Sequence, residues 1–167
     1  MSSTSARKKS GPVDAKIAGF LAKYSPALNA ELRAARSNLR KLFPRGHELV
    51  YDNYNALVFA FSATERASDA FLSVAGYPNW VTLFFLPGVG LDDPEGLLQG
   101  SGSQVRSIRL SSAGQLREPA VKKLIAQAMA PHRKALKTCV PLVTTIKSVS
   151  AKQRPRRSAT GSRKARA

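Results

Sequence analysis

The sequence predicts an α+β domain in which the helices pack mainly on one face of an antiparallel sheet of about five or six strands. Two amphipathic helical segments open the chain, a run of short apolar segments follows, and one more helical segment lies near the C-terminus. Helices and strands that are segregated along a chain are typical of α+β folds. The apolar stripes of three helices can be buried only if the helices pack on the sheet.

The first two helices are predicted from their starts and from the spacing of their apolar residues. Pro12 and Pro26 stand in first-turn positions, where a helix tolerates proline. Apolar residues recur at helical spacing between residues 13 and 24, and again between residues 28 and 42. We expect the opposite, solvent-facing side of the second helix to carry a row of arginines, which are Arg33, Arg36 and Arg40.

The middle of the chain is predicted to form the sheet. The predicted strands are residues 47–51, 55–61, 71–77, 80–86 and 105–110, with the β-branched segment 140–149 as a candidate for a last strand. Leu57, Phe59 and Phe61 alternate with smaller residues, which places the large side chains on the core face. Segment 80–86 is apolar on both faces and should be a central, covered strand.

The third helix is predicted to begin at Pro119. Its apolar stripe consists of Val121, Leu124, Ile125 and Ala128. Pro131 should end or kink this helix near Ala130, because proline removes a backbone donor and clashes with the preceding turn.

Composition and local sequence predict a cytoplasmic protein. The first nine residues have no apolar stretch behind their charges and do not resemble a secretory signal. The longest clean apolar run, 56–61, is far shorter than the roughly 18 residues that a membrane span requires. Cys139 is the single cysteine, which excludes an internal disulfide and fits a reducing compartment. We therefore expect no membrane partner.

The charge of the chain is distributed unevenly. The chain carries 27 Lys and Arg against 10 Asp and Glu, yet no acidic residue follows Glu118, while 13 of the basic residues do. We divide the chain into a disordered basic N-terminus (1–11), a folded domain (12–150) and a disordered basic tail (151–167). A flexible polycation binds phosphates by releasing their counterions, so we expect weak, non-specific affinity for polyanions such as nucleic acid.

The predicted nucleic-acid contacts all lie in the tail. They are Lys152, Arg154, Arg156, Arg157, Arg163, Lys164 and Arg166. No aromatic residue is interleaved with them and no helix-turn-helix or zinc-finger pattern is present in the sequence, so neither base stacking nor sequence-specific recognition is predicted. The alternative is a solubilising tail without a dedicated partner. In either case, deletion of residues 151–167 should leave stability nearly unchanged.

Four stretches carry a resemblance to a known family. They are Tyr51–Asn55, the Gly-rich loop 88–103, the segment 105–110 with the helix after Pro119, and residues 146–157. Together they resemble the YdhG-like family, a bacterial domain of unknown function, over roughly residues 13–157. The resemblance implies a compact α+β domain without an established enzyme activity, which makes a binding domain of undetermined ligand our first hypothesis. One relative is regarded as a frataxin-like iron chaperone, so metal carriage, with iron as the metal, is the alternative.

Two neighbouring features predict a site for a small ligand. Tyr51–Asn55 and Trp80 combine aromatic rings with polar ends, which is typical of a binding pocket. The alternative is a hairpin that turns near Asp52 and keeps its rings in the core. Gly100–Ser103 could present backbone N–H groups to an anion, or could simply reverse the chain. The predicted ligand-binding residues are Tyr51, Asp52, Asn53, Tyr54, Asn55, Trp80, Arg106 and Arg109.

The candidate metal site is the densest group of acidic residues in the chain. Asp92, Asp93 and Glu95 carry the carboxylates that hard cations prefer. The alternative is a turn, because proline and glycine accompany these residues. Frataxin-like iron binding uses acidic residues on the first helix and a neighbouring strand edge. Here the two N-terminal helices offer only Asp14 and Glu31, beside a row of arginines.

No catalytic constellation is predicted. His132 and Cys139 are seven residues apart, but no third zinc ligand or orienting group accompanies them. The sequence contains no HExxH, GxSxG or Walker A motif. A small enzyme that uses the Tyr51–Asn55 region is the third and lowest-ranked hypothesis.

Overall fold

The helices and strands follow the predicted order in the computed structural model of the protein, which describes residues 11–157. Helices α1 (Pro12–Leu21) and α2 (Pro26–Leu42) come first, and α3 (Pro119–Met129) and a short α4 (Arg133–Lys137) follow the fifth strand. The strands are β1 (His47–Asp52), β2 (Leu57–Ser62), β3 (Ala70–Gly76), β4 (Val81–Phe85), β5 (Arg106–Leu110) and β6 (Val143–Val149). Pro131 lies in a 3-10 turn between α3 and α4, close to the predicted break.

The six strands form one mixed, mostly antiparallel sheet in the order β5-β4-β3-β2-β1-β6. The α+β prediction is therefore confirmed, with one difference: β6 runs parallel to β1. A parallel pair requires a crossover rather than a hairpin. The connection that contains α3 and α4 supplies it, because it carries the chain from β5 at one edge to β6 at the other. The predicted central strand β4 is internal, with four of its five residues buried.

One face of the sheet carries the hydrophobic core. Val50, Phe59 and Val74 are aligned across β1, β2 and β3, and they belong to one buried cluster with the helical stripes. Leu57, Phe59 and Phe61 all lie in this cluster, as their alternation predicts. The predicted stripe of α3 is likewise buried there. The helices therefore pack on this face, which we call the helix-covered face.

The opposite face of the sheet is built differently. Leu49, Ala60 and Ala75 point to it because side chains alternate along each strand. These three residues are buried but do not belong to the cluster that contains the helices. We call this surface the second face.

No helix within residues 11–157 is long and apolar enough to cross a membrane.

Close packing of α2 on β3 depends on Gly76. An added Cβ at this position would overlap the Cδ2 atom of Leu32, which is fully buried in α2. We expect Gly76→Ala to lower the free energy of unfolding by about 1–3 kcal/mol, the usual cost of overpacking a core. Gly19 in α1 is the matched control, because nothing lies within 4 Å of its added Cβ.

Gly19→Ala should raise the free energy of unfolding by about 0.5–1 kcal/mol, because alanine is the better helix former. Urea unfolding of both variants measures the difference. A Gly76→Ala protein as stable as Gly19→Ala would contradict the tight α2–β3 contact.

Candidate functional site

The predicted ligand residues on β1 point in opposite directions. Asp52 is fully buried on the helix-covered face, whereas Tyr51 is half-buried on the second face. Burial raises the pKa of Tyr51, and its buried hydroxyl has no hydrogen-bond partner among the described residues. Asn53, Tyr54 and Asn55 are exposed in the turn between β1 and β2. Alternation along the strand thus separates residues that are adjacent in sequence.

Trp80 and Arg109 do form a contact. The guanidinium carbon of Arg109 lies 3.9 Å from the centroid of the Trp80 ring, which also stacks on Tyr77 at 5.4 Å. Arg106 points elsewhere: its Nη1 donates to the carbonyl oxygens of Gly102 and Val105 at 2.6 and 2.8 Å. Cation and aromatic ring therefore meet at Trp80, while Arg106 stabilises the Gly-rich loop.

The structure does not bring the eight predicted ligand residues together. Tyr51 and Arg109 stand at the two ends of one row of paired residues that crosses β1 to β5. Four strand spacings of about 4.8 Å place them roughly 19 Å apart. Of the eight, only Trp80 lines one of the five main cavities among residues 11–157.

Asp52 is the centre of a buried ion cluster. Its carboxylate accepts from Nζ of Lys23 at 2.7 Å and from Nη2 of Arg156 at 3.0 Å. The side chains of Asp52 and Arg156 are 0% and 1% exposed, and that of Lys23 is 39% exposed. Gln153 also contacts Lys23, at 2.9 Å. This cluster joins β1 to the α1–α2 junction and to the segment after β6.

Tyr24 completes the Asp52 cluster. Its hydroxyl donates to the carbonyl oxygen of Gly76 at 2.6 Å and accepts from the amide of Leu57 at 3.0 Å and from Nη1 of Arg156 at 2.6 Å. Burial raises the pKa of Tyr24, although the adjacent guanidinium of Arg156 acts in the opposite direction. The hydroxyl thus stays protonated and links β2, β3 and the C-terminal segment.

Glu48 forms a second buried ion cluster on the same side of β1. Nε and Nη2 of Arg36 donate to its two carboxylate oxygens at 2.9 and 2.8 Å. Arg40 and the hydroxyl of Thr144 also donate to this carboxylate. The prediction that the arginine row faces solvent is therefore wrong for Arg36, whose side chain is only 15% exposed. Arg33 is exposed as predicted, and Arg40 is partly exposed but also reaches Glu48. Arg36 and Arg40 flank the apolar stripe of α2, and their long side chains reach down to β1.

The pKa of Glu48 reflects two opposing effects. Burial of the carboxylate acts to raise the pKa, but the hydrogen bonds and positive charges of Arg36 and Arg40 outweigh it. The pKa consequently lies below its ordinary value, and Glu48 is ionised at neutral pH.

Sequence reasoning missed Glu48 as a structural residue, although a signal was present. Glu48, Val50 and Asp52 occupy alternate positions of one strand and must share its helix-covered face. Two acids on a core face require buried cationic partners. The spacing predicts that partners exist, but it does not identify Arg36 and Arg156.

The C-terminal basic segment is partly packed on the domain. Lys152, Arg154 and Arg157 are exposed, whereas Arg156 is only 3% exposed. The backbone amide of Arg154 donates to the carbonyl oxygen of Tyr54 at 2.9 Å. Nη2 of Arg157 donates to the carbonyl oxygen of Ala22 at 3.3 Å.

Two predictions about the tail are corrected as a result. Arg156 is not available to nucleic acid, because Asp52 and Tyr24 bind its guanidinium inside the domain. The folded domain extends through Arg157 rather than ending at residue 150, so deletion of residues 151–167 removes Arg156 and should destabilise the domain, contrary to the expectation from the sequence. The predicted contacts Arg163, Lys164 and Arg166 lie outside the described residues, as does most of the predicted N-terminal segment 1–11.

The acidic loop has the geometry of a turn. The carboxylate of Asp93 accepts from the amides of Leu97 and Leu98 at 2.9 and 2.8 Å. Gly96 adopts a positive φ of 65°, which glycine tolerates best. In the part of the chain that the structure describes, no group of three or more His, Cys, Asp or Glu is arranged to hold a metal ion. The bonds made by Asp93 favour the turn interpretation of this loop.

No protein-family model, curated protein or solved structure matches the chain. The resemblance to the YdhG-like family stays a prediction, and function must follow from the geometry and charge of the chain itself.

Glu48 should make stability depend on pH. Its folded pKa is lowered, so its contribution is present above the ordinary value of 4.5 and is lost as the pH falls through the folded pKa. We expect Glu48→Gln to lower the free energy of unfolding at pH 7 by about 3 kcal/mol. This is the low end for a broken buried pair, because Arg40 is partly exposed.

Urea unfolding at pH 7 and at successively lower pH checks this expectation. The difference in the free energy of unfolding between the wild type and Glu48→Gln should become smaller below pH 4.5. The exposed Glu65 supplies the control, and Glu65→Gln should change stability by less than about 0.5 kcal/mol at pH 7. A gap that does not change with pH would show that the charge of Glu48 does not stabilise the fold.

Arg156 and its neighbour Arg157 provide a matched pair of substitutions. Arg156→Gln leaves the buried Asp52 without one of its two cations, so we expect a loss of about 3 kcal/mol in the free energy of unfolding. Arg157→Gln removes an exposed charge and should change stability by less than about 0.5 kcal/mol. Thermal and urea unfolding compare the two variants, and equal effects would contradict the anchoring role of Arg156.

Proposed function

We propose that the protein is a non-enzymatic binding domain that contacts nucleic acid weakly and without sequence specificity through basic residues at its C-terminal end. The observation that supports this proposal is the placement of charge. Glu48 and Asp52 are fully buried, and each is paired with two cations, so each cluster retains one positive charge. Each carboxylate therefore neutralises one largely buried arginine, Arg36 or Arg156, and the partly exposed Arg40 and Lys23 leave a net positive charge at the surface.

The exposed cations at this end of the domain lie close together. Lys23 contacts Gln153, and Arg157 contacts the carbonyl oxygen of Ala22. Lys23, Lys152, Arg154 and Arg157 form what we call the end patch, from which the chain continues to Arg163, Lys164 and Arg166. A phosphate backbone that occupies the patch releases condensed counterions, which favours binding at low salt.

The end patch also contains an aromatic ring, which the sequence of the tail does not suggest. Tyr54 is 43% exposed, and the guanidinium carbon of Arg154 lies 5.8 Å from its ring centroid. Exposed rings beside cations are typical of surfaces on which the bases of a single strand stack. We therefore expect the patch to bind single-stranded nucleic acid more tightly than a duplex.

Salt-dependent binding to a fluorescent single-stranded oligonucleotide tests the proposal. The triple variant Lys152→Gln/Arg154→Gln/Arg157→Gln should weaken binding and lower the slope of log K against log salt by about 2, at roughly 0.7 per lost phosphate contact. The control Lys122→Gln/Lys123→Gln/Lys134→Gln removes three exposed charges from α3 and α4. It should leave the slope nearly unchanged.

Truncation after Arg157 separates the two parts of the basic end. We expect this truncation, which removes Arg163, Lys164 and Arg166, to weaken binding of the oligonucleotide relative to the full-length protein. The free energy of unfolding should not change, because Arg156 and its partners are retained. Equal losses from the end-patch variant and from the control would mean that overall charge, and not the patch, attracts the oligonucleotide.

A further inference from the structure

An apolar groove lies away from the end patch, where the end of α2 meets the break between α3 and α4. It is open to solvent on one side and has a volume of about 180 Å³. Leu42, Phe43, Met129 and Leu136 supply its apolar walls. Leu42 is 43% exposed although it is a large hydrophobic residue. A concave surface of this kind, lined by aliphatic and aromatic side chains, is typical of small-molecule sites.

The sequence explains why the groove exists. Helix α2 ends at Leu42 and Pro44 follows, while α3 ends at Met129 and Pro131 follows. Proline at these positions prevents either helix from continuing across the gap. The two helix ends therefore stand side by side without a side chain that fills the space between them. The thioether of Met129 can adapt its shape to an occupant.

The rim of the groove is positively charged. Arg45, Arg133 and Lys137 line it, and none of its lining residues is acidic. Arg133 and Lys137 are four residues apart in α4 and so lie on the same side of that helix. Nη1 of Arg45 donates to the carbonyl oxygen of Cys139 at 2.8 Å, which holds its guanidinium in place. An apolar floor with a cationic rim is complementary to an apolar molecule that carries one negative charge.

We propose that this groove binds a small apolar carboxylate, in which a single ring or a short alkyl chain fills the groove and the carboxylate lies at the rim. The volume is suitable, because an apolar cavity of about 150 Å³ accommodates benzene. The segments outside the described residues do not supply such a group from their side chains. Residues 1–10 and 158–167 contain Lys and Arg and no Asp or Glu. This site is independent of the end patch and of the proposed function.

Titration of the full-length protein with 4-ethylbenzoate, followed by methyl NMR, tests the proposal. We expect saturable shifts of the Leu42, Met129 and Leu136 methyl groups with a dissociation constant on the order of 1 mM or lower. The neutral analogue 4-ethylbenzyl alcohol should bind several-fold more weakly, because it gains nothing from the rim. Acetate, which lacks the apolar group, should cause no shifts in the groove.

Matched variants separate the rim from the net charge of the protein. Arg133→Gln/Lys137→Gln should weaken 4-ethylbenzoate about fivefold or more. Lys122→Gln/Lys134→Gln removes the same charge from exposed positions outside the groove and should change the affinity little. Leu42→Glu places a carboxylate on the exposed wall, where it competes for the same cations, and should abolish binding.

Three results would overturn the proposal. The first is the absence of groove shifts at about 10 mM 4-ethylbenzoate, ten times the dissociation constant expected. The second is equal affinity for the alcohol and the carboxylate, which would show an apolar cavity without selectivity for charge. The third is an equal loss in the rim variant and in its control, which would assign the effect to net charge.

Discussion

Two carboxylates on one strand determine how the outer elements of this fold are joined to the sheet. Glu48 and Asp52 both face the helices from β1, and each is fully buried. An unpaired charge in such a place would cost several kcal/mol, so the cationic partners must dock when the core forms. Glu48 brings α2 and β6 together through Arg36 and Thr144. Asp52 brings the α1–α2 junction and the C-terminal segment together through Lys23 and Arg156.

These ion clusters specify position more than they add stability. A buried ion pair commonly contributes no more than a well-packed apolar pair of similar volume, yet the loss of one partner is costly. The free-energy cost of leaving either carboxylate without its cation is what fixes the relative positions of the elements that carry them. Because Arg156 must reach Asp52, the residues on either side of it are held against the domain, and Arg154 and Arg157 emerge beside Tyr54 and Ala22. The burial of Asp52 in the core thus determines where the basic C-terminal segment lies on the domain.

The sequence predicts the local elements well, because their signals are local. Leu57, Phe59 and Phe61 alternate along β2, and the stripe of α3 recurs at helical spacing; each pattern reports burial within one element. The parallel pairing of β6 is not predictable in this way, because it depends on where a long connection delivers the strand. Composition likewise indicates disorder after residue 150, yet one arginine and its distant carboxylate order the segment through residue 157.

The arrangement of the predicted ligand-binding residues departs further from the prediction than the helices and strands do, for a similar reason. Tyr51 and Asp52 are neighbours in the chain, but the pleat sends one to each face of the sheet. The groove at Leu42 and Met129 is formed by two helix ends that are distant in sequence, and neither segment has the pattern of a pocket by itself. The pattern on β1 predicts that Glu48 has a cationic partner, because a buried acid requires one. It does not identify Arg36 as that partner, since this depends on how α2 packs on β1.

The two proposed sites would use the same excess of positive charge in physically different ways. At the end patch the cations are exposed to water, and binding of phosphate there would depend on counterion release, so it would weaken steeply as salt rises. At the groove most of the binding free energy would come from the transfer of an apolar group out of water, and kosmotropic salts strengthen such burial. The contribution of the rim is a short-range contact, which salt screens much less than it screens many distant charges. The two proposed sites should therefore respond differently to ionic strength, although an anion is the proposed ligand of each.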